Sequence, residues 1–283
     1  MPGEKIVSLR NERIKAAAAL KTASGRRESG RFLLEGPKLK YDRSGTPVLF
    51  ELNPRPGRAS FYCDAAALQR CGALRVQATE VSDEVLSRMS DTVTPQGVVA
   101  VAQRRERDAL RLHFGGRYVL LEQVQNAGNV GNILRTAEAL GMDGALFCGD
   151  AVDLFSPKVL RGSMGSALRL PTAHYDSALQ AAQALHGAGL ALWGAALRED
   201  AQMLLSAGEL QGAVAIGNEG RGLSGEMLDV CDKLVVIPMR GQTESLSAPC
   251  AAAILLWELW GRRDAGCGQE GTDIGQFETS KMT

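Results

Sequence analysis

The sequence has little material for a metal site, a disulfide framework or a histidine-based catalyst. Its 283 residues include six cysteines and three histidines, and no two cysteines form a Cys-x-x-Cys pair. Because zinc sites need Cys and His ligands clustered at short spacings, we expect no metal. The histidines lie far from the polar loops discussed below, so a Ser–His–Asp arrangement is not indicated. Scattered cysteines of this kind are typical of reduced core residues.

Long apolar runs are also missing. The best uncharged apolar stretch, residues 248–257, is far shorter than the roughly 18 residues that a membrane helix needs. The N-terminal segment carries charged side chains from the start, among them Glu4, Lys5 and Arg10, which is unlike a secretory signal. We therefore expect a cytoplasmic protein with no membrane partner.

The fingerprints of common nucleotide-binding folds are not found at the first glycine-rich turn. Its glycines are Gly128 and Gly131, with asparagines between them, and this is not the Gly-x-Gly-x-x-Gly spacing of dinucleotide folds. A Gly-x-x-x-x-Gly-Lys phosphate loop is absent from the sequence as well. A nucleotide-dependent oxidoreductase or an NTPase is therefore disfavoured.

The chain does contain an ordinary globular composition with an uneven charge. Hydrophobic residues make up 45% of it and charged residues 23%, which is enough apolar material for a core. The net charge is zero, yet residues 1–112 hold 20 Lys and Arg against 13 Asp and Glu, whereas residues 113–283 hold 12 against 19. A basic front half favours a polyanionic partner, most simply nucleic acid. A solvated helix face is the alternative.

The front half predicts a small mixed α/β domain. Apolar residues at helical spacing predict a helix over residues 6–21, and a polar, basic break follows at residues 25–30. Short apolar runs between Gly- and Pro-rich turns predict strands at residues 32–34, 48–52 and 98–102. We place this domain at residues 1–105 and a charged linker at 106–112.

The second half predicts an α/β domain in which strands alternate with helices. Strands are expected at residues 118–121, 144–148, 190–196, 213–216 and 234–237, and helices at 132–140, 177–186 and 248–260. Short runs of Val, Ile and Leu with helices between them are typical of a parallel sheet covered on both faces. We place this domain at residues 113–262 and predict that the polar tail, 263–283, is disordered.

The first of three polar loops lies in residues 125–141, which follow a strand and lead into a helix expected from Asn132. Glycine lets the backbone approach a ligand closely, and a helix N-terminus offers free N–H groups to an anion. Arg135, about one turn inside that helix, is placed to clamp a phosphate. The alternative is a plain strand–loop–helix turn with a surface arginine.

The other two loops also follow strands. Residues 216–223 place three glycines around Glu219 and Arg221, which suits a tight loop that fixes a carboxylate. Glu219 could instead only accept hydrogen bonds from a following helix start. Residues 237–249 lead into the last apolar helix, with Ser247 as a plausible N-cap and Pro249 in the first turn.

Taken in order, these loops resemble the three motifs of the SpoU/TrmH family, ribose 2′-O-methyltransferases of the SPOUT class that act on ribosomal or transfer RNA. The front half, at residues 6–15, 30–36 and 90–100, resembles the RNA-binding extension of the family, and residues 157–165 resemble its segment between the first two motifs. The motif matches are Asn129-x-Gly131-x-x-x-Arg135-Thr136-Ala137, Gly217-x-Glu219-Gly220-x-Gly222, and Ile237-Pro238-Met239 running to Ser245-Leu246-Ser247.

The resemblance implies a SPOUT domain with a C-terminal trefoil knot, whose loops bind S-adenosylmethionine in a bent shape. It implies a homodimer with the site at the subunit interface, and a front domain that catches the RNA. We expect 2′-O-methylation of a ribose in structured RNA. We favour large-subunit ribosomal RNA, because the long basic front domain resembles the ribosomal RNA members. The alternatives are a transfer RNA substrate and an RNA-binding protein of this fold that has lost catalysis.

The resemblance also assigns residues by position. The catalytic positions are Asn129, Arg135, Glu219 and Ser245. The positions around the methyl donor are Gly217, Ile237, Leu246, Met239 and Gly194. The basic front segment supplies the candidate RNA-binding residues, Arg10, Arg13, Lys15, Arg26, Arg27, Arg31 and Lys38.

The role of Arg135 is open between two chemistries. The family proposal makes it the base that removes the ribose proton, whereas arginine as a residue type is a poor base and a good phosphate ligand. In the second role Asn129 and Glu219 would fix its guanidinium. The chain departs from the family at Asn126-Ala127, where Asp-Pro is usual, and at Ser247, where asparagine is usual.

Overall fold

The computed structural model describes residues 5–35, 59–67, 78–95, 97–104, 110–207, 210–241 and 245–264. The expected strand at 48–52, Lys38 and the tail from residue 265 onward lie outside these ranges. The described chain forms a front domain, up to residue 104, and a C-terminal domain, from residue 110, each with its own β-sheet. The domain boundaries proposed from the sequence stay a prediction.

The front domain contains a four-stranded sheet in the order β1–β4–β2–β3. Strand β4 pairs antiparallel with β1 and β2, and β3 lies parallel to β2. Side chains such as Ile14, Leu33 and Val85 join one face of the sheet to the helices in a buried core. The elements are Arg31–Glu35 (β1), Ala59–Cys63 (β2), Ala78–Glu80 (β3), Val98–Gln103 (β4), Glu12–Ala19 (α1), Ala23–Ser29 (α2) and Asp83–Met89 (α3).

Two expectations for the N-terminal segment are wrong. The first helix begins at Glu12, because the Asn11 side chain caps it by accepting the Arg13 N–H at 2.9 Å. Ile6, whose spacing suggested the same helix, instead forms a parallel bridge with Val81. The expected break at residues 25–30 is largely α2, a polar helix capped by Thr22 and ended by Gly30 in the left-handed region, at φ +63°.

The C-terminal domain is built on seven parallel strands in the order β7–β6–β5–β10–β8–β11–β9. Five of the strands fall on the apolar runs that predicted a parallel sheet. The two that the sequence pattern missed, β7 and β9, lie at the edges. The strands are Arg117–Glu122 (β5), Gly144–Cys148 (β6), Thr172–Tyr175 (β7), Leu192–Ala195 (β8), Gln202–Met203 (β9), Gly212–Ile216 (β10) and Lys233–Val236 (β11).

Helices cover both faces of this sheet, as the strand composition predicted. On one face α4 and α9 bury residues such as Ile133 and Leu255 against Val119 and Val214. On the other face α7 buries Leu185 against Leu120 and its neighbours. The helices are Ala127–Ala139 (α4), Pro157–Ser163 (α5), Ser166–Arg169 (α6), Ala178–Gly187 (α7), Gly225–Val230 (α8) and Ala248–Asp264 (α9).

Helix α4 begins five residues earlier than expected, so Asn129 and Gly131 are helical rather than part of a loop. A Cβ built on Gly131 would lie 2.8 Å from the Ser163 backbone nitrogen and 2.9 Å from the Val159 carbonyl oxygen. The glycine is therefore required by the close packing of α4 against α5. The sequence suggested that the Gly131 backbone approaches a ligand, but this contact is with the backbone of α5.

Residues 153–163, which comprise α5 and the turn before it, join the two domains. Asp153 accepts a hydrogen bond from Arg26 Nε at 2.7 Å, and the Phe155 ring packs on Phe32 with centroids 5.0 Å apart. Arg161 donates to an Asp91 oxygen at 2.8 Å. Since the same helix packs against α4, this segment links the front domain directly to the helix that carries Asn129.

In the described part of the chain, no helix combines the length and apolar character needed to cross a membrane. The trefoil knot implied by the family resemblance stays a prediction.

The ion pair between Arg26 and Asp153 generates a stability prediction. Arg26 is 8% exposed and also donates to the carbonyl oxygens of Leu20 and Lys21 at 2.8 and 2.9 Å. We expect Asp153→Asn to lower the free energy of unfolding by about 1–3 kcal/mol, because a buried guanidinium loses its charged partner. Urea unfolding followed by circular dichroism measures this.

Asp200→Asn is the matched control for this substitution. It removes the same charge from an exposed ion pair, Arg198–Asp200, which should contribute little to the free energy of unfolding. Equal losses of stability in the two variants would contradict a special role of the interdomain pair.

Candidate functional site

A cavity of about 690 Å³ opens beside the carboxyl ends of β8, β10 and β11. In parallel α/β sheets this edge is the usual place for a ligand. The three polar loops of the sequence meet here, although they are far apart in the chain. The predicted site residues that line the cavity are Asn129, Gly217, Glu219, Ile237, Met239, Ser245 and Leu246.

The carboxylate of Glu219 ties the second loop to the start of α4. It accepts hydrogen bonds from Asn129 Nδ2 at 2.9 Å and from the backbone N–H groups of Asn126 at 3.2 Å and Gln125 at 3.4 Å. These contacts fix the position of the carboxylate at the cavity wall. They also place an anion, Glu219 itself, beside this helix start, where the sequence suggested a phosphate.

The same contacts set the ionisation of Glu219. Partial burial acts to raise the pKa of its carboxyl, but hydrogen bonds from its own backbone N–H, from Asn129 and from the Asn126 and Gln125 amides outweigh burial and lower the pKa. Glu219 is therefore a carboxylate at neutral pH. It offers the cavity a fixed negative charge.

Asn126, which the sequence analysis did not assign to the site, completes the start of α4. Its side-chain oxygen accepts the N–H groups of Gly128 at 2.9 Å and Asn129 at 3.4 Å. Asparagine immediately before a helix is a common N-cap, so the residue type was a usable signal. The spacing of the apolar residues alone places the helix start at Asn132, whereas the asparagine N-cap marks the start at Ala127.

The second loop is closed by its own backbone. Asn218 and Gly222 exchange two backbone hydrogen bonds, at 3.0 and 2.9 Å, and Asn218 Nδ2 donates to the Gln123 carbonyl oxygen at 2.9 Å. A Cβ built on Gly217 would lie 2.2 Å from the carbonyl carbon of Gly222. The tight loop itself therefore requires this glycine, independently of any ligand.

Residues 220–225 have the Gly-x-Gly-x-x-Gly spacing that the first glycine-rich turn lacks. They form this closed turn and then Ser224, which caps α8 by accepting the Met227 N–H at 3.1 Å. The Ser224 N–H and hydroxyl donate to the carboxylate of Glu122, which is 4% exposed, at 2.8 and 2.6 Å. Glu122, not assigned from the sequence, thus anchors the end of the loop to β5.

The third loop forms the remaining wall. Leu246 and Ser247 line the cavity directly before α9, and the Ser247 carbonyl oxygen accepts the Ala251 N–H at 2.9 Å. Pro249 lies in the first turn of α9, as the sequence predicted. Residues 242–244 are outside the described ranges.

Two predicted site residues do not line this cavity. Gly194 lies within β8, where an added Cβ would meet Leu234, Cys231 and Leu223 side chains at 2.8–3.2 Å. Its glycine is explained by this packing, and Ala195 and Ala196 take the place at the cavity wall. Arg135 is exposed on α4 and is absent from the cavity lining.

The predicted RNA-binding residues fall into different environments. Arg10, Arg27 and Arg31 are exposed, as is the pair of Lys15 with Glu12. Arg13 lies over the Tyr62 ring with its guanidinium carbon 5.5 Å from the centroid. Arg26 is buried in the domain interface, so its assignment to an RNA surface is wrong. Lys38 lies outside the described residues.

The described residues that line the cavity include no cysteine and no histidine. The described residues contain no group of three or more His, Cys, Asp or Glu side chains that could hold a metal ion. Burial raises the pKa of the Cys148 thiol to about 11 and that of Cys231 to about 12, so both are protonated core residues.

The lowered pKa of Glu219 generates a prediction about stability and pH. A depressed carboxyl pKa stabilises the folded state above the ordinary glutamate range, and this stabilisation is lost as the pH falls through the lowered pKa. Glu219→Gln should therefore reduce stability at pH 7 and flatten its decline in acid. Unfolding midpoints in urea across the acid range measure this.

Glu226→Gln is the control, since Glu226 is an acidic residue in the first turn of α8 that does not line the cavity. If Glu226→Gln flattens the acid decline as much as Glu219→Gln does, the contacts of Glu219 are not responsible for it.

Comparison with known families agrees with this geometry. A profile of the SpoU rRNA Methylase family matches residues 116–257. A profile of the MRM3-like substrate binding domain matches residues 11–100. The two profiles therefore fall on the C-terminal and front domains respectively.

Relatives match nearly the whole chain. An uncharacterized tRNA/rRNA methyltransferase of Synechocystis sp. is 34% identical over 264 residues, which cover 89% of this chain and 92% of the relative. The 23S rRNA (guanosine(2553)-2′-O)-methyltransferase RlmP of Bacillus subtilis is 28% identical, with 91% and 100% covered. The AdoMet-bound rRNA methyltransferase structure from Sinorhizobium meliloti superposes with a TM-score of 0.76 at 26% identity, with 92% and 98% covered. The family prediction is thus confirmed: the chain belongs to the SpoU rRNA methylase family and has the SPOUT methyltransferase fold.

Proposed function

We propose that the chain transfers a methyl group from S-adenosylmethionine to the 2′-hydroxyl of a ribose in RNA, with large-subunit ribosomal RNA as the substrate. The observation that carries this is the meeting of all three family motifs at one cavity, where Asn129 of the first motif holds Glu219 of the second. The relatives described above support ribosomal RNA, because RlmP acts on 23S rRNA and matches over its whole length.

The cavity suits the methyl donor. Its volume of about 690 Å³ is within the range of about 300–1,000 Å³ common for small-molecule sites. Apolar side chains of Leu223, Ile237 and Leu246 can take an adenine ring, and the fixed carboxylate of Glu219 suits a ligand with a cationic sulfur. When bound, S-adenosylmethionine supplies the electrophilic methyl group, and no metal is required for that chemistry.

The protein side chains must bring the ribose hydroxyl to that methyl group and accept or share its proton. Proximity of the two reactants provides much of the acceleration in such transfers. Asn129 and Ser245 present polar groups at the cavity wall and can orient the hydroxyl. Within one chain, however, Glu219 and Asn129 bond each other rather than the guanidinium of Arg135, which corrects the expected three-residue cluster.

The position of Arg135 supports a site shared by two chains. Six residues along an α-helix separate Arg135 from Asn129 by about 9 Å along the axis and about 120° around it. Arg135 therefore lies on a different face of α4 from Asn129 and does not line this chain's cavity. Its role, on this proposal, is to bind the phosphate beside the reacting hydroxyl in the partner's site.

An exposed apolar face on α9 supports the homodimer. Ile254 is 39% exposed and Trp257 is 54% exposed, and they lie three residues apart on a helix that packs against α4. Exposed aromatic and aliphatic side chains of this kind are common in the cores of subunit interfaces. We place the homodimer contact at this face, and we place the protein in the cytoplasm, where ribosomal RNA is modified.

The test of the function is methyl transfer in vitro. The purified protein should transfer labelled methyl groups to large-subunit ribosomal RNA from cells lacking the gene, at a ribose that then resists alkaline hydrolysis. Transfer to transfer RNA alone would favour that substrate instead. Donor binding in calorimetry without any transfer would indicate an RNA-binding protein that has lost catalysis.

In the same assay Arg135→Lys should be nearly as damaging as Arg135→Ala. Lysine keeps the charge but lacks the planar fork of a bidentate phosphate contact. Donor affinity should be unchanged in both variants, because Arg135 does not line the cavity. Near-normal transfer by the lysine variant would exclude an orienting guanidinium.

Mixed dimers test the shared site. One chain carries Arg135→Ala, and the other carries Ala196→Trp, which fills part of the cavity that Ala196 lines. Each homodimer should be inactive. Ala196 is a better position to block than Gly217, because a side chain on Gly217 would disrupt its own loop.

Random pairing at equal amounts gives about half mixed dimers, each with one intact site if Arg135 serves the partner, and hence about a quarter of normal activity. If Arg135 serves its own cavity, no mixed dimer has an intact site. Background activity, once subunit exchange is verified by tagged co-purification, would refute the shared site.

A further inference from the structure

Helix α5 carries a lysine next to the start of α4 that belongs to none of the three motifs. Lys158 is exposed in the first turn of α5. A Cβ built on Gly128, in the first turn of α4, would lie 4.0 Å from Lys158 Cε and 3.2 Å from Asn126 Oδ1. Lys158 Cε and the side-chain oxygen of Asn126, a residue that lines the cavity, therefore both lie next to Gly128, and the Lys158 ammonium group is one bond beyond Cε.

Lys158 differs from the other charged residues of its segment because its side chain has no partner in the described part of the chain. Asp153 is bound to Arg26 and Arg161 to Asp91 across the domain interface. Among the residues that the structure describes, the Lys158 side chain makes no ion pair and no hydrogen bond. An ammonium group that contributes nothing to the domain interface is available to a ligand.

The cavity rim needs a positive charge if RNA is to approach it. The exposed, ionised carboxylate of Glu219 repels a phosphodiester, and the N–H groups of Gly128 and Asn129 in the first turn of α4 are already used by the Asn126 side chain. Lys158 places a cation on the α5 side of the rim, and exposed Arg221 places one on the loop side. A lysine ammonium is a compact point charge that binds phosphate without a fixed orientation.

We propose that Lys158 binds the phosphate of a nucleotide that flanks the methylated one and so holds the RNA strand at the cavity rim. This rests on the proposed RNA methyltransferase function. Helix α5 contacts both β1 of the front domain and α4 of the C-terminal domain. Lys158 therefore lies where the RNA passes from the domain that captures it to the site that modifies it. It is a positioning residue, distinct from the groups that face the reacting atoms.

The experiment compares Lys158→Gln, Lys158→Arg and Lys233→Gln in the full-length protein. Lys233 is the control: it is an exposed lysine at the beginning of β11, with its ammonium group 4.9 Å from the centroid of the Trp193 ring, and the cavity lies at the other end of that strand. Four quantities are measured, namely RNA affinity as a function of salt, KM for RNA, kcat, and S-adenosylmethionine affinity by calorimetry.

For Lys158→Gln we expect KM for RNA to rise about tenfold, the effect of losing one hydrogen bond to a charged group, with kcat changed less than about twofold. The slope of log affinity against log salt should fall by about 1. Lys158→Arg should restore the KM for RNA and the salt slope to their wild-type values. The affinity for S-adenosylmethionine should stay at the wild-type level in every variant.

Three outcomes would overturn the proposal. These are a Lys158→Gln variant indistinguishable from Lys233→Gln, a loss of donor affinity instead of RNA affinity, and a loss of RNA affinity that Lys158→Arg does not restore. The slope of log affinity against log salt is measured in binding experiments and does not require methyl transfer. If the wild-type protein binds RNA but transfers no methyl group, the proposed function fails while the phosphate contact of Lys158 is still measured.

Discussion

The site depends on one interaction, the carboxylate of Glu219 held at the start of α4. The first N–H groups of a helix have no partner within the helix and must be satisfied by something else. Here the side chain of Asn126 takes two of them, while Glu219 accepts the Asn126 and Gln125 amides and the Asn129 side chain. A negative charge at this position also interacts favourably with the helix dipole. One carboxylate thus joins two motifs and fixes the cavity wall between them.

The glycines of the motifs follow from this arrangement. The sequence suggested that they let the backbone approach a ligand, but the closest contacts of a Cβ at Gly131 and Gly217 are with the protein's own backbone. Gly131 lets α4 pack on α5, and Gly217 lets its loop close on Gly222. These two contacts fix the positions of α4 and of the second loop, which the carboxylate of Glu219 joins. Tight packing of protein on protein, rather than room for the donor, is therefore the constraint at these two positions.

The parallel sheet and its covered faces could be predicted from the sequence, because buried parallel strands appear as short continuous apolar runs. The helix starts were predicted less accurately than the strands. Asn11 and Asn126 cap their helices at positions that the spacing of the apolar residues does not indicate. Arg26 looked like one more basic surface residue. Its partner, Asp153, is 127 positions away, and no local pattern reveals such a pairing. The motif residues were identified through family resemblance, whereas the separation of Arg135 from the cavity needed the structure.

The relation between the two domains adds a constraint on how RNA meets the site. The front domain rests on residues 153–163 through Arg26, Phe32 and Asp91, and α5 of that segment packs on α4 through glycine contacts. The front domain is therefore connected to Asn129 through packed side chains and helix backbone, in addition to the peptide chain between the domains. A substrate captured by the front domain is consequently presented at a defined distance from the cavity. Arg135 leaves α4 on a different side from Asn129, so its guanidinium lies outside the cavity to which this packed connection leads.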